Sequence, residues 1–203
     1  DVLDDQIDHH ATFGDRANGL SVAIASEVNA VDITAKAFDR VLRFIEPGMK
    51  EYAIEAEITR EFIRNGSRGH AYTPIIASGR NACVLHYITN DDTCKDGDVI
   101  LMDFGCEYGN YASDLTRSIP VNGTFTPRQR DVYNAVLNVQ KEATKILLPG
   151  VFLADYHKKV GELMEKELIG LGLLDKDAVA KQDPEKPLYK KYFMHGTSHF
   201  LGL

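Results

Sequence analysis

Residues 98–120 read DVILMDFGCEYGNYASDLTRSIP, and the rest of the chain is most easily understood from them. The apolar run Val99 to Met102 leads through a turn-prone Tyr108-Gly109-Asn110 and returns from Tyr111 to Ile119, which predicts a β-hairpin. A turn centred between Tyr108 and Gly109 places Asp103 directly opposite Asp114. Opposed residues bring their Cβ atoms to roughly 5 Å, where like charges destabilise the ladder. Stability alone gives no reason for this pair. Gly105 and Ala112 share the face of the two carboxylates and leave room beside them, while Met102, Phe104, Cys106, Tyr111 and Leu115 alternate onto the other face. A multivalent cation between the carboxylates would turn repulsion into attraction. A pair splayed into water at the hairpin end, or sharing a proton, fits the same spacing.

The 203 residues suit one large domain or two small ones, with enough chain to bury a substantial core. A formal charge of −7 and a pI near 5.5 argue against a general binder of nucleic-acid backbones. Lys158-Lys159 and Lys190-Lys191 are too short to make a basic patch and read as solvated faces. No apolar run approaches the roughly 20 residues of a membrane span, and Asp1 to Arg16 lacks the pattern of a signal peptide. Cys83, Cys94 and Cys106 are odd in number and form no CxxC pair, which disfavours a disulfide framework or zinc knuckle and fits a reducing cytoplasm.

Residues 1–25 mix acids, Gly and Asn and read as a linker or the remnant of a preceding domain, leaving 26–203 as the functional domain. His9-His10 beside Asp5 and Asp8 could bind a metal or simply be solvated. From Ser26, Ala30, Ile33, Ala37, Val41 and Phe44 recur at helical spacing up to Pro47-Gly48. A second helix carries Ile54, Ile58 and Phe62 on one face and ends near Asn65-Gly66. Pro74 to Ser78 and Val84 to Ile88 read as short buried strands, the second carrying His86.

After the hairpin, Thr126-Pro127-Arg128-Gln129 is a helix start, with Thr126 as N-cap and Gln129 completing a capping box. Val132, Val136, Val139, Ala143 and Ile146 form its expected buried stripe, ending at Pro149-Gly150. The following helix should bury Tyr156, Val160, Leu163 and Leu168. A polar loop from Asp175 to Lys191 leads into YFMHGTSHFLGL, read as a loop entering a strand.

The order repeats: helix, Pro-Gly, helix, Gly-bearing exit, His-bearing segment, then a hairpin in the first half only. The expected architecture is therefore α/β, with a pseudo-twofold repeat whose second half is incomplete and whose second hairpin would follow Leu203. Ending on Phe200-Leu201-Gly202-Leu203 inside an apolar run reads as a cut in a longer domain.

In His-Gly-Thr-Ser-His, Gly196, Thr197 and Ser198 make a helix improbable, so His195 and His199 are not the helical two-His zinc pattern. A histidine near an apolar run is commonly a satisfied core residue. Beside two opposed carboxylates, and with His86 at the matching place in the first half, a site gains weight. Oxygen donors with one imidazole suit Mn²⁺, Co²⁺ or Zn²⁺ better than a thiolate-bound metal.

VILMDFGCEYGNYASDLTRSIPVNGTFTPRQRDVY, followed about 60 residues later by FMHGTSHFLGL, resembles the metal-dependent Xaa-Pro aminopeptidases of the pita-bread family, which also includes prolidase and methionine aminopeptidase. The resemblance runs from Val28 to Leu203. It implies a two-halved pita-bread α/β fold and two divalent metal ions, Mn²⁺ ahead of Zn²⁺ or Co²⁺. By the same resemblance Asp103, Asp114 and His199 are metal ligands, and His86 and His195 are catalytic and substrate-binding. The implied reaction releases the N-terminal residue from peptides with proline in second position, by attack of a metal-activated hydroxide. A dimer or tetramer is implied too. The family carries two further Glu ligands and another His beyond this stretch, so three ligands here cannot complete two coordination spheres. Prolidase activity, or a non-catalytic peptide- or partner-binding module of the same fold, are the alternatives.

Overall fold

The computed structural model describes residues 17–201, with side chains from residue 25 onward. The paired histidines at 9 and 10 and any hairpin beyond Leu203 lie outside the described residues. The chain divides into two compact units, residues 1–125 with 200–203, and 126–199.

In the first unit, α1 (Ala17–Phe44) buries Ala30, Ile33, Ala37 and Val41, the stripe expected from their spacing. It starts at Ala17, so 17–25, expected as linker, is helical. Helix α2 (Glu51–Arg64) follows the Pro47-Gly48 stop and buries Ile54, Ile58 and Phe62 completely. Each such side chain contributes about 1.5–3 kcal/mol. The turn between the helices is fixed by hydrogen bonds from Gly48 N to Cys94 O and from Cys94 N to Met49 O, both 2.8 Å.

Six strands follow: β1 (Gly69–His70), β2 (Ile75–Ser78), β3 (Val99–Phe104), β4 (Cys106–Tyr108), β5 (Tyr111–Ala112) and β6 (Leu115–Pro120). They form two three-stranded antiparallel sheets, β1-β4-β5 and β2-β3-β6, both crossed by the one long hairpin. Ile100, Met102, Phe104 and Cys106 point into the core with both helices, alternating along the strands as expected.

The hairpin exists, but its register differs from the expected one. Tyr108 pairs with Tyr111, and Asp103 faces Thr116 rather than Asp114. The turn is centred one residue later, on Gly109 and Asn110, which adopt φ of 62° and 71°. Two successive left-handed residues make the two-residue turn that matches strand twist, and Gly-Asn is suited to it where Tyr-Gly is not. Asp103 and Asp114 are therefore diagonal neighbours on one face.

The expected strand at Val84 to Ile88 is absent. That stretch leaves a 3-10 turn (Gly79–Cys83) and runs irregularly, with Val84, Leu85 and Ile88 more than half exposed. His86 sits at φ 53° and Asn90 at φ 48°, backbone values that no strand accommodates.

In the second unit, α3 (Pro127–Ile146) opens with the expected capping box: Thr126 Oγ1 accepts from Gln129 N at 3.3 Å, and Thr126 N donates to Gln129 Oε1 at 2.8 Å. Helix α4 (Leu153–Gly170) packs Tyr156, Val160, Met164 and Leu168 against Val139 and Ala143. Val132 and Val136, expected in the buried stripe, are exposed, because the contact with α4 uses the later turns of α3. The loop from Asp175 contains the short α5 (Lys176–Ala180), capped by Asp175, and a 3-10 turn at Leu188–Lys191. Residues 192–201 form no strand. Both units thus show the helix, Pro-Gly, helix order, with Gly48 and Gly150 at φ 95° and 90°. A sheet accompanies it only in the first among the described residues.

Candidate metal centre

Asp114 lies where the hairpin ladder is interrupted, between β5 and β6 on one arm and opposite Gly105 on the other. The break is satisfied from the core side. Ser113 Oγ lies 2.7 Å from Thr34 Oγ1 of α1, and Cys106 N donates to both hydroxyls, at 3.0 and 3.1 Å. Thr34 and Ser113 are almost fully buried. Anchoring Ser113 inward leaves Asp114 on the opposite face beside Asp103. A Cβ on Gly105 would collide with the Ser113 carbonyl, so only glycine permits this approach.

A second irregularity supplies a residue that the sequence gave no reason to single out. His70 pairs with Cys106 and Ile75 with Asp103, so the four residues 71–74 span a distance that Phe104 and Gly105 cover in two. The surplus bulges out, as extra residues in a ladder must. Tyr72 rides on this bulge, and its hydroxyl lies 2.6 Å from Asp103 Oδ1 and 3.0 Å from Asp114 Oδ1. One hydroxyl proton serves two carboxylates. Only a register resolved to single residues on both sides of β3 reveals this; the nearest sequence hint is Pro74, which disfavours a regular ladder there.

The electrostatics follow. Burial pushes the Asp103 carboxyl above its ordinary value and the negative charge of Asp114 adds to this, while hydrogen bonds from Tyr72 and Thr116 and the nearby His86 act against it. The Tyr72 phenol is pushed far upward, by burial first and then by the two carboxylates, so it stays a donor at all ordinary pH. His86 is exposed on the 84–88 stretch, within electrostatic range of Asp103.

The first unit thus sets Asp103 beside Asp114, with His86 within electrostatic range of Asp103. His195 and His199 belong to the second unit. There His157 of α4 lies with Nε2 3.1 Å from Ser198 O, and a Cβ at Gly196 would press on its ring. This fixes the backbone on which His195 and His199 are carried. His195 is exposed, 6.4 Å from the Phe193 ring between centroids. Among the described residues no cluster of three His, Cys, Asp or Glu side chains is preassembled for a metal. The Asp103–Asp114 pair nevertheless suits a hard divalent cation: two carboxylates converge on the Tyr72 hydroxyl, which has one proton for both.

A sheet backed by two helices, with a hairpin presenting paired carboxylates and a second helix pair after it, places the chain in the pita-bread α/β class. Solved structures of that class agree. A substrate complex of Escherichia coli aminopeptidase P superposes with a TM-score of 0.81 at 40% identity, covering 88% of this chain and 40% of that one. An aminopeptidase P from Yersinia pestis gives 0.82 at 40% identity, covering 93% and 42%.

The sequence description of metallopeptidase family M24 matches residues 28–203, and the chain belongs to that family. Escherichia coli Xaa-Pro aminopeptidase is 43% identical over 176 residues, 86% of this chain. Mouse Xaa-Pro dipeptidase is 39% identical over 176 residues, 84% of this chain. The chain spans 39% and 35% of these two relatives.

Proposed function

We propose that this chain forms part of a cytoplasmic, homo-oligomeric aminopeptidase that removes the N-terminal residue from peptides with proline in second position. The observation that carries this reading is the convergence of Asp103 and Asp114 on the Tyr72 hydroxyl, in a chain 43% identical to an Xaa-Pro aminopeptidase. Asp103, Asp114 and His199 would hold two divalent ions, Mn²⁺ ahead of Zn²⁺ or Co²⁺; a zinc-substituted form of the Escherichia coli relative has been solved with product. The chemistry such ions supply is Lewis acidity at the scissile carbonyl and at the attacking water.

The protein's own groups do the rest. Asp103 and Asp114 concentrate the negative charge that would hold the ions. Tyr72 donates its one proton to this pair and fixes the orientation of the carboxylates. His86 and His195 would hold substrate and offset charge developing on the carbonyl oxygen. Cleavage of Xaa-Pro dipeptides is the second reading, favoured by the 39% identity to a dipeptidase.

The test uses the full-length gene product loaded with Mn²⁺, assayed on Xaa-Pro-Xaa tripeptides and Xaa-Pro dipeptides, with metal counted by elemental mass spectrometry. Metal-dependent turnover of tripeptides is expected. Preference for dipeptides would favour the second reading, and a protein that binds metal to neither carboxylate and cleaves neither substrate would sink both.

A further inference from the structure

Glu51 is a carboxylate with no solvent exposure, yet the roles above make no use of it. It opens α2, where the helix N-terminus favours negative charge. Its Oε1 accepts from Ser78 N at 2.8 Å and Asn81 Nδ2 at 3.1 Å, and its Oε2 accepts from Tyr87 OH at 2.7 Å and Asp92 N at 3.0 Å. Its own backbone N donates to Asp92 O at 3.0 Å. All four acceptor positions are filled, and every donor comes from one continuous segment, 78–92. Ser78 and Asp92 are the two ends of that segment, and Tyr87 is the neighbour of His86.

The segment needs such an anchor. It has no ladder partners between Ser78 and Asp92, exposes Val84, Leu85 and Ile88, and carries His86 and Asn90 in left-handed backbone that costs energy for residues other than glycine. One turn along α2, Glu55 Oε2 accepts from Asn90 Nδ2 at 2.8 Å and adds a second tether. No other buried carboxylate among the described residues gathers four donors from one loop.

We propose that Glu51 is a positioning residue for the candidate active site: it holds the 78–92 segment in the conformation that presents His86 beside Asp103. The inference rests on the proposed role of His86, but its first test does not. In Glu51→Gln one carboxyl oxygen becomes an amide nitrogen that cannot accept, so whichever position it takes, a backbone N–H at one end of the segment, Ser78 or Asp92, loses its acceptor.

Amide hydrogen exchange on this chain should accelerate about ten- to hundredfold within 79–91, the scale of one or two charge-assisted bonds, while Val99–Phe104 changes less than about twofold. The His86 ring resonances should move as well. Tyr87→Phe, which removes one of the four bonds and no charge, should loosen 84–91 to a smaller degree and guards against a Glu51 variant that fails to fold. Unchanged exchange in 79–91, or equal acceleration throughout the first unit in both variants, would overturn the proposal.

In the full-length enzyme, Glu51→Gln should lower kcat about tenfold and have no further effect in a His86→Ala background. A full additional loss in that background would overturn the assignment through His86. An inactive wild-type enzyme whose 79–91 exchange still responds would overturn the peptidase reading and leave the anchoring by Glu51 supported.

Discussion

Replacing Asp103 by Asn should make the metal-free chain more stable and at the same time remove its response to divalent cations. Two carboxylates that share the Tyr72 hydroxyl are about 5 Å apart, which at an effective dielectric of about 20 amounts to roughly 3 kcal/mol of repulsion. Asp103 is only half-buried, so screening by water and salt reduces this to about 1.5–2 kcal/mol. Against it, the Tyr72 bond weakens from charge-assisted to neutral, a loss of about 1 kcal/mol. The net gain is about 0.5–1 kcal/mol, worth roughly 2–5 °C in Tm for a unit of this size. The assay is urea and thermal unfolding of wild type and Asp103→Asn, each with and without Mn²⁺. Wild type should gain stability with Mn²⁺ and the variant should not. A variant destabilised by more than about 1 kcal/mol, or one stabilised by Mn²⁺ as much as wild type, would show that the carboxylate pair is structural and the reasoning wrong.

Tyr72→Phe has the opposite sign: the metal-free chain should lose about 1.5–3 kcal/mol, because both carboxylates lose the hydroxyl they share, and added Mn²⁺ should shrink that loss in urea titrations. Gly105→Ala should cost at least about 3 kcal/mol by denaturant unfolding, since the clash is with the Ser113 backbone rather than a side chain that can turn away. Burial holds the His70 imidazole below its ordinary value, with Glu55 acting weakly against it. The unfolded chain therefore binds the extra proton first, so stability falls as pH drops below about 6.5, and His70→Leu should flatten that slope between pH of about 7.5 and 5.5.

Periodicity made the two helix pairs legible: the spacing of Ile54, Ile58 and Phe62 fixes one buried face of α2 with no tertiary information, and Thr126 to Gln129 announces its own cap. It failed at Val84 to Ile88 for a physical reason. Five residues with four apolar or aromatic members look like a buried strand, but the segment is tied down through Tyr87 to Glu51 and, just beyond it, through Asn90 to Glu55 and the Pro74 carbonyl, contacts that carry no periodic signal. Val132 and Val136 show the complementary limit. An apolar stripe tells which face of a helix is apolar, not how much of that face a neighbour covers.

The carboxylate pair shows why a site can be legible when the register that suggested it is not. Moving the turn from Tyr108-Gly109 to Gly109-Asn110 slides one arm of the hairpin past the other by two residues, and a two-residue slide preserves which face every side chain occupies. Asp103 and Asp114 therefore stay on one face under either pairing, whereas a one-residue slide would have buried one of them among Met102, Phe104 and Cys106. The distance between them was the fragile part. Directly opposed carboxylates would leave no room for a hydroxyl between them, while diagonal ones separate enough to admit Tyr72 from the bulge at 71–74. The two irregularities depend on each other: the diagonal offset opens the space, and the two surplus residues before Ile75 deliver the donor that makes the offset pair tolerable without a cation.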